Sequence, residues 1–367
     1  MLGFQPPAVG EEEVAAVAAT LRSGWLTSGP RAADLERRMA EYLEAKHVLA
    51  LASGTAALHL ALVALGVGPG DEVITSSITW PSTANVIVHT GATPVFVDVR
   101  EDDLNLDPAR VPEAVTERTK AILPVHLGGQ PCDLDPLLEL GLPVVEDAAH
   151  AAESRYRGRK IGSISDATCF SLYATKNITA GEGGLISTNR DDVAAAVGDL
   201  RQMRRGDGSL YDIPVPGYKA NLSDVLASIA LVQLDKVERH GEIRRRQFAL
   251  YDEAMAELEG VMPLARDHRD THAHHLYIVR IDADRAGATR DEYQRALAEE
   301  NIATSIHFLP VHRLSYYRER FPEQAPLPVS ERAGEEVLSL PLSPAHSDDD
   351  IADAIEAVRR VHARFTS

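Results

Sequence analysis

Only two cysteines, Cys132 and Cys169, occur in 367 residues, and both sit among apolar neighbours. That excludes a disulfide framework and a cysteine-based metal site, so no metal is expected, and it points to a reducing, cytoplasmic setting. No apolar run approaches the ~20 residues needed to span a bilayer. Residues 1–10 carry neither a basic segment nor an apolar signal core, and export is therefore not expected. Positive charge is also scarce: 37 Lys and Arg against 55 Asp and Glu leave a net charge of −18. Such a surface repels nucleic acid and anionic membrane, and neither is expected as a partner. An anionic small-molecule ligand would need the few basic groups concentrated at its site. Internal repeats and low-complexity segments are missing as well.

What is present is the composition of a soluble globular chain, 44% hydrophobic and 25% charged, long enough for two domains. From Lys46 to Asn189 short β-rich runs alternate with helical or turn segments. The runs are His47–Ser53, Glu72–Ser76, Thr93–Val99, Lys120–Val125, Leu142–Asp147, Ala167–Tyr173 and Gly184–Thr188. Several are almost continuously apolar, as strands buried on both faces of a mainly parallel sheet must be. Between the first two runs, Leu58, Leu62 and Leu65 share one helical face, with Ser53 as the cap and Gly66 as the stop. A helical region follows over Ser223–Glu259, with a break expected near Gly241, and its charged run Glu242–Arg246 reads as a solvated face. Beyond it the pattern gives a strand at His275–Ile281 and helices at Arg290–Asn301 and Asp348–Arg364. The fold expected is α/β: a large domain over 1–240 with a mostly parallel seven-stranded sheet flanked by helices, and a smaller α+β domain over 241–367.

Three features fall at carboxyl ends of these strands, where an open α/β sheet binds its ligand. Ser53-Gly54-Thr55 opens a helix, whose free N–H groups and dipole favour a phosphate, although the same residues make an ordinary helix cap. Asp147 ends a buried strand, a costly place for a carboxylate without a cationic partner, although an aspartate there can also cap a turn. Lys176 follows the next run beside the Gly-rich Gly181-Glu182-Gly183-Gly184. In a shielded pocket its amine would be neutral enough to form a Schiff base, while a lone lysine near a loop is more often a surface residue.

Taken in order, these and further motifs resemble the sugar aminotransferases of the DegT type, enzymes with the aspartate-aminotransferase fold (fold type I) that use pyridoxal 5'-phosphate (PLP). The likeness runs from Trp25 to Leu340. It covers Ser23-Gly-Trp25-Leu-Thr27-Ser-Gly29-Pro30, Ser53-Gly54-Thr55, Thr79-Trp80-Pro-Ser-Thr-Ala-Asn85, Glu146-Asp147-Ala-Ala-His150, Phe170-Ser171…Lys176-Asn177, Gly181-Glu-Gly-Gly184 and Gly217-Tyr218-Lys219-Ala-Asn221-Leu-Ser223-Asp224.

The resemblance implies a role at each matching position. Lys176 holds the cofactor covalently and Asp147 meets the pyridine nitrogen. Trp80 stacks on the ring, with a core tryptophan as the competing reading. His150 lies near the ring and its phenolic oxygen, with a buried structural histidine as the competitor. Gly54, Thr55 and Ser171 hold the phosphate, and Asn221 reaches it from the neighbouring subunit, which implies a homodimer with shared active sites. Trp25, Thr27, Lys219 and His307 are the candidates for substrate contact. The reaction implied is transfer of an amino group from an amino acid, glutamate by analogy, to a nucleotide-linked keto sugar.

Members making 4-amino-4-deoxy pentoses are the most similar, sharing the Gly-Trp-x-Thr-x-Gly-Pro start and likenesses at Ile306-His307-Phe308, His312 and Tyr316–Phe321. Tyr173 and Ala220 depart from the pattern, replacing a histidine and an aromatic residue. A dehydrating branch of the fold carries histidine in place of Lys176 and is disfavoured here. A keto cyclitol as acceptor remains an alternative, and a non-catalytic PLP-binding regulator is another.

Overall fold

The computed structural model describes residues 1–202 and 215–367. All seven expected runs form strands: β1 (His47–Leu51), β2 (Glu72–Ser76), β3 (Thr93–Val97), β4 (Thr119–Leu123), β5 (Val145–Asp147), β6 (Ala167–Ser171) and β7 (Gly184–Thr188). Their hydrogen bonds divide them into a four-stranded sheet, β1-β7-β6-β5, and a three-stranded sheet, β3-β2-β4. Isolated parallel bridges, Ile122–Val144 and Val125–Asp147, run between β4 and β5. The β2–β3, β2–β4 and β5–β6 pairs are parallel, whereas β7 runs antiparallel to both β1 and β6. The sheet arrangement is thus mixed.

Helices cover both faces, and most strand residues are buried, the apolar ones among them forming the core. On one side Leu35, Met39 and Leu43 of α1 (Pro30–Leu43) pack with Phe170, Leu185 and Leu234. On the other, Leu58, Leu60 and Leu62 of α2 (Gly54–Ala64) pack with Leu51, Val73 and Ile186. Each such side chain contributes about 1.5–3 kcal/mol. The cap at Ser53 forms as expected, its Oγ accepting from the Ala56 N–H at 3.0 Å, and Gly66 turns the chain at φ +75°.

One expectation fails. Helix α3 (Asp224–Met255) runs unbroken through Gly241, and Arg244, in the run expected to face solvent, is buried. A mid-helix glycine costs about 1 kcal/mol relative to alanine, and packing along 32 residues overrides it.

Beyond α3, strands β8 (Val261–Pro263), β9 (Tyr277–Ile281) and β10 (Val337–Leu340) form an antiparallel sheet. It is covered by α4 (Arg290–Glu299) and α5 (Asp348–Thr366), each begun by a capping box at Thr289 and Ser347. Tyr251, Tyr277, Tyr293, Leu338 and Ile351 share its core. No helix among the described residues is long and apolar enough to cross a membrane.

Candidate active site

The carboxyl ends of β1, β2, β5 and β6 gather the chemistry-bearing residues, as the topology requires. Asp147 is the last residue of β5. Its Oδ2 accepts from the Thr83 hydroxyl at 2.7 Å and its Oδ1 from the Ala149 N–H at 3.1 Å. Both donors are neutral, and among the described residues Asp147 makes no ion pair. Burial pushes its carboxyl up, resisted by these hydrogen bonds and by the charge of Lys176. Its neighbour Glu146, on the same strand, is fully engaged by His126 at 2.7 Å and Thr168 at 2.7 Å.

Lys176 sits past β6 in a turn closed by its own N–H on the Tyr173 carbonyl at 2.9 Å. Desolvation brings its amine down to about 8, partly offset by Asp147. Far more neutral amine therefore exists near neutral pH than in an ordinary lysine, and the neutral amine is the form a nucleophile or general base needs.

Three imidazoles, His150, His275 and His307, feel the charge of Lys176, and burial keeps all of them neutral, His307 down to about 3. His150 stacks near Phe308, ring centroids 6.0 Å apart at 18°, and lies 4.4 Å from His275. The Gly128 N–H donates to His150 Nδ1 at 3.2 Å. With Nδ1 accepting and the ring neutral, the proton of His150 is on Nε2, which makes Nε2 a donor.

Trp80 precedes the helix Pro81–His89 and is 63% exposed, so it is no core residue. Its ring approaches Phe308 at 6.2 Å. Segment 306–312 is brought here by the Val311 N–H on the Ser77 carbonyl at 2.9 Å and by His312 Nδ1, 2.6 Å from Ser77 Oγ. This far part of the chain delivers His307 and Phe308 to the site.

The cup at Ser53-Gly54-Thr55 is set by close approach. A Cβ on Gly54 would lie 3.0 Å from that of Ser171, and one on Gly184 would collide with the Ser53 carbonyl at 2.3 Å. Glycine at these two positions lets β6 and β7 press against the start of α2. The N–H groups of Gly54 and Thr55 find no acceptor among the described residues and point out of the helix start beside Ser171.

Trp25, Thr27, Lys219 and Asn221 form a separate rim. Asn221 Nδ2 donates to Ser28 Oγ at 2.6 Å, Lys219 Nζ bonds Asn221 Oδ1, and the Asn221 backbone bridges Leu51 at the end of β1. Within one chain Asn221 is thus tied to the strand that leads into the cup. Lys219 adopts φ +55°, a strained backbone for a side chain of its size. Trp25 is 53% exposed and donates from Nε1 to the Ser28 carbonyl at 3.1 Å. A Cβ at position 29 would lie 1.7 Å from the Trp25 ring nitrogen, so a larger residue there would displace that ring.

The sequence reading missed Thr83, Phe308, His275 and Asp224. Buried Asp224 accepts from the N–H groups of Gly29 at 2.7 Å, Arg31 at 3.0 Å and Ala32 at 3.0 Å, anchoring the end of the Trp25 loop and the start of α1 on α3. Thr83, Phe308 and Asp224 all lie inside the motifs that carry the family resemblance, which was the available signal. His275 stood only at the edge of an expected strand.

The DegT/DnrJ/EryC1/StrS aminotransferase family model matches residues 7–359 of this sequence. The chain belongs to this family. Its members are PLP-dependent sugar aminotransferases, so the chain is a PLP-dependent transferase. Among its relatives is the spore coat polysaccharide biosynthesis protein SpsC of Bacillus subtilis, 46% identical over 98% of this chain and 97% of that one. A putative sugar aminotransferase of Streptococcus pneumoniae, solved in its PLP form, is 35% identical with a TM-score of 0.94, covering 100% of both chains. DesI, solved with its TDP-sugar product, is 35% identical with a TM-score of 0.91, covering 99% of this chain and 93% of that one.

The residues present fit the family's cofactor. Asp147 is a buried carboxylate with only neutral donors, open to a pyridinium N–H. Lys176 offers a desolvated amine near it, Trp80 an exposed ring, and Gly54 and Thr55 two unclaimed N–H groups for a phosphate.

Proposed function

We propose that this aminotransferase moves an amino group from glutamate to a nucleotide-linked 4-keto sugar, pentose or hexose. The observation that carries the reading is the pairing of Asp147, buried without an ion partner among the described residues, with Lys176, whose amine is held near 8. When bound, PLP would supply an aldehyde and an electron-withdrawing ring. Asp147 keeps a proton on the ring nitrogen by accepting its hydrogen bond. Nζ of Lys176 would take the proton from the donor's Cα as general base and give it up again as general acid. His150 donates from Nε2 toward the phenolic oxygen, Trp80 covers the ring, and Gly54, Thr55 and Ser171 hold the phosphate. Asn221 completes that phosphate site from a partner subunit in a homodimer, a role we carry from the resemblance.

Trp25, Thr27 and Lys219 of the rim, with His307 beside Lys176, contact the sugar nucleotide in this reading. Lys219 answers the diphosphate charge that an overall −18 chain would otherwise repel. We take residues 1–240 as the cofactor domain and 241–367 as the small domain, with the seven strands acting as one sheet. The two buried thiols suit a cytoplasmic enzyme.

Borohydride reduction followed by peptide mass spectrometry should find a pyridoxyl group on Lys176. Turnover should be seen with UDP- or dTDP-4-keto sugars and not with keto-inositols. Turnover on keto-inositols alone would replace the sugar with a cyclitol.

A further inference from the structure

Behind Lys176 lies a buried polar relay that none of the roles above uses. Asn177, the next residue, donates from Nδ2 to the Ala273 carbonyl at 2.9 Å and to Glu153 Oε2, and its Oδ1 is 2.9 Å from His275 Nδ1. An amide oxygen only accepts, so His275 carries its proton on Nδ1. His275 in turn packs at 4.4 Å on His150. The other oxygen of Glu153 accepts from Nη2 of Arg244, which is 2% exposed and whose Nε finds no partner among the described residues. Gly241 stands one turn before Arg244, and a Cβ there would lie 2.9 Å from Glu153 Oε1. The helix-weakening glycine is what admits the carboxylate to Arg244 and Asn177. A buried ion pair is weak evidence for stability as such, which leaves the relay's orienting effect as its distinctive consequence.

We propose that Glu153, held by Arg244 and admitted by Gly241, is a positioning residue that acts through Asn177 to fix the placement of Lys176 and the tautomer of His275. A carboxylate is needed because it presents two acceptors to two donors. Glutamine offers one acceptor and sets an NH2 group against either Arg244 or Asn177. The proposal rests on Lys176 being the cofactor lysine. The Lys176 adduct and wild-type turnover test that reading, whereas imidazole tautomers in cofactor-free protein test this one.

The experiment compares wild type, Glu153→Gln, Glu153→Asp and Gly241→Ala. Nitrogen-15 NMR of the cofactor-free proteins should show the Nδ1–H form of His275 in wild type and its loss or mixing with the Nε2–H form in Glu153→Gln and Gly241→Ala. In the holoenzymes kcat should fall about tenfold in both, with KM for the amino donor within about twofold, and Glu153→Asp should recover part of the loss. Gly241→Ala is decisive because alanine favours the helix: a melting temperature equal to or above wild type with a lowered kcat supports positioning. An unchanged His275 tautomer in Gly241→Ala and Glu153→Gln overturns the proposal. So does a kcat loss that simply follows a loss of thermal stability across the four proteins.

Discussion

Around Asp147 the polar groups are buried and tied one to another. Thr83 and Ala149 hold the carboxylate, Gly128 holds His150, and Asn177 holds His275. At the rim, Trp25 is half-exposed, Lys219 and Thr27 face solvent, and the Asn221 side chain bonds Lys219 and Ser28. The difference follows from what each region must do. A cofactor cradle gains from preorganisation, since fixed donors in a low-dielectric site need no rearrangement when charge develops. A rim that admits a large substrate, and in our reading a second subunit, has to keep its groups available until that partner arrives.

Substitutions should separate the two regions by the size and kind of their effects. Lys176→Ala should lower turnover at least about 10³-fold, the scale of a lost general acid–base group, and abolish the aldehyde-linked absorbance of the holoenzyme. Steady-state kinetics and a spectrum check both. In cofactor-free protein, modification of Lys176 by an amine-directed reagent should rise with pH through about 8, well below an ordinary lysine. Asp147 raises that value, so Asp147→Asn should move the midpoint to lower pH. An unmoved or higher midpoint would separate the two residues.

Asp147→Asn should also cut kcat by about 10–10²-fold, the scale of one charged hydrogen bond, with little change in the sugar's KM. Smaller still is the expected effect of mixing Lys176→Ala and Asn221→Ala subunits. If Asn221 acts across a two-fold dimer, about a quarter of sites should be intact after exchange. No recovery of activity would confine Asn221 to its own chain and make the rim a single-subunit structure. Least of all, Lys219→Ala should raise KM for the nucleotide sugar by about fivefold or less, as befits an exposed charge, and leave kcat within about twofold. A large kcat effect there would erase the distinction between cradle and rim.

Much of the cradle was legible because its chemistry is local. Asp147 at a strand end, Lys176 after the next strand and Ser53-Gly54-Thr55 at a helix start are each written in a few consecutive residues. The seven strands were legible for the same reason, since burial on both faces leaves continuous apolar runs. Gly241 misled because helix propensity is read over one turn, whereas the helix is stabilised by contacts along its whole length and the glycine answers to Glu153, far away in sequence. Arg244 was placed on a solvated face because charge runs usually are, and nothing nearby announces a buried carboxylate partner.

By itself, then, the order of residues determined the strand and helix inventory, the caps, the cofactor lysine's neighbourhood and the family. Tertiary structure alone decided that Phe308 joins the site, that His275 carries its proton on Nδ1, and that Asp147 makes no ion pair among the described residues. The physical reason is range. Propensity, capping and apolar periodicity act between residues a few positions apart. Burial, tautomer and hydrogen-bond partnership depend on groups that meet only after distant segments have packed.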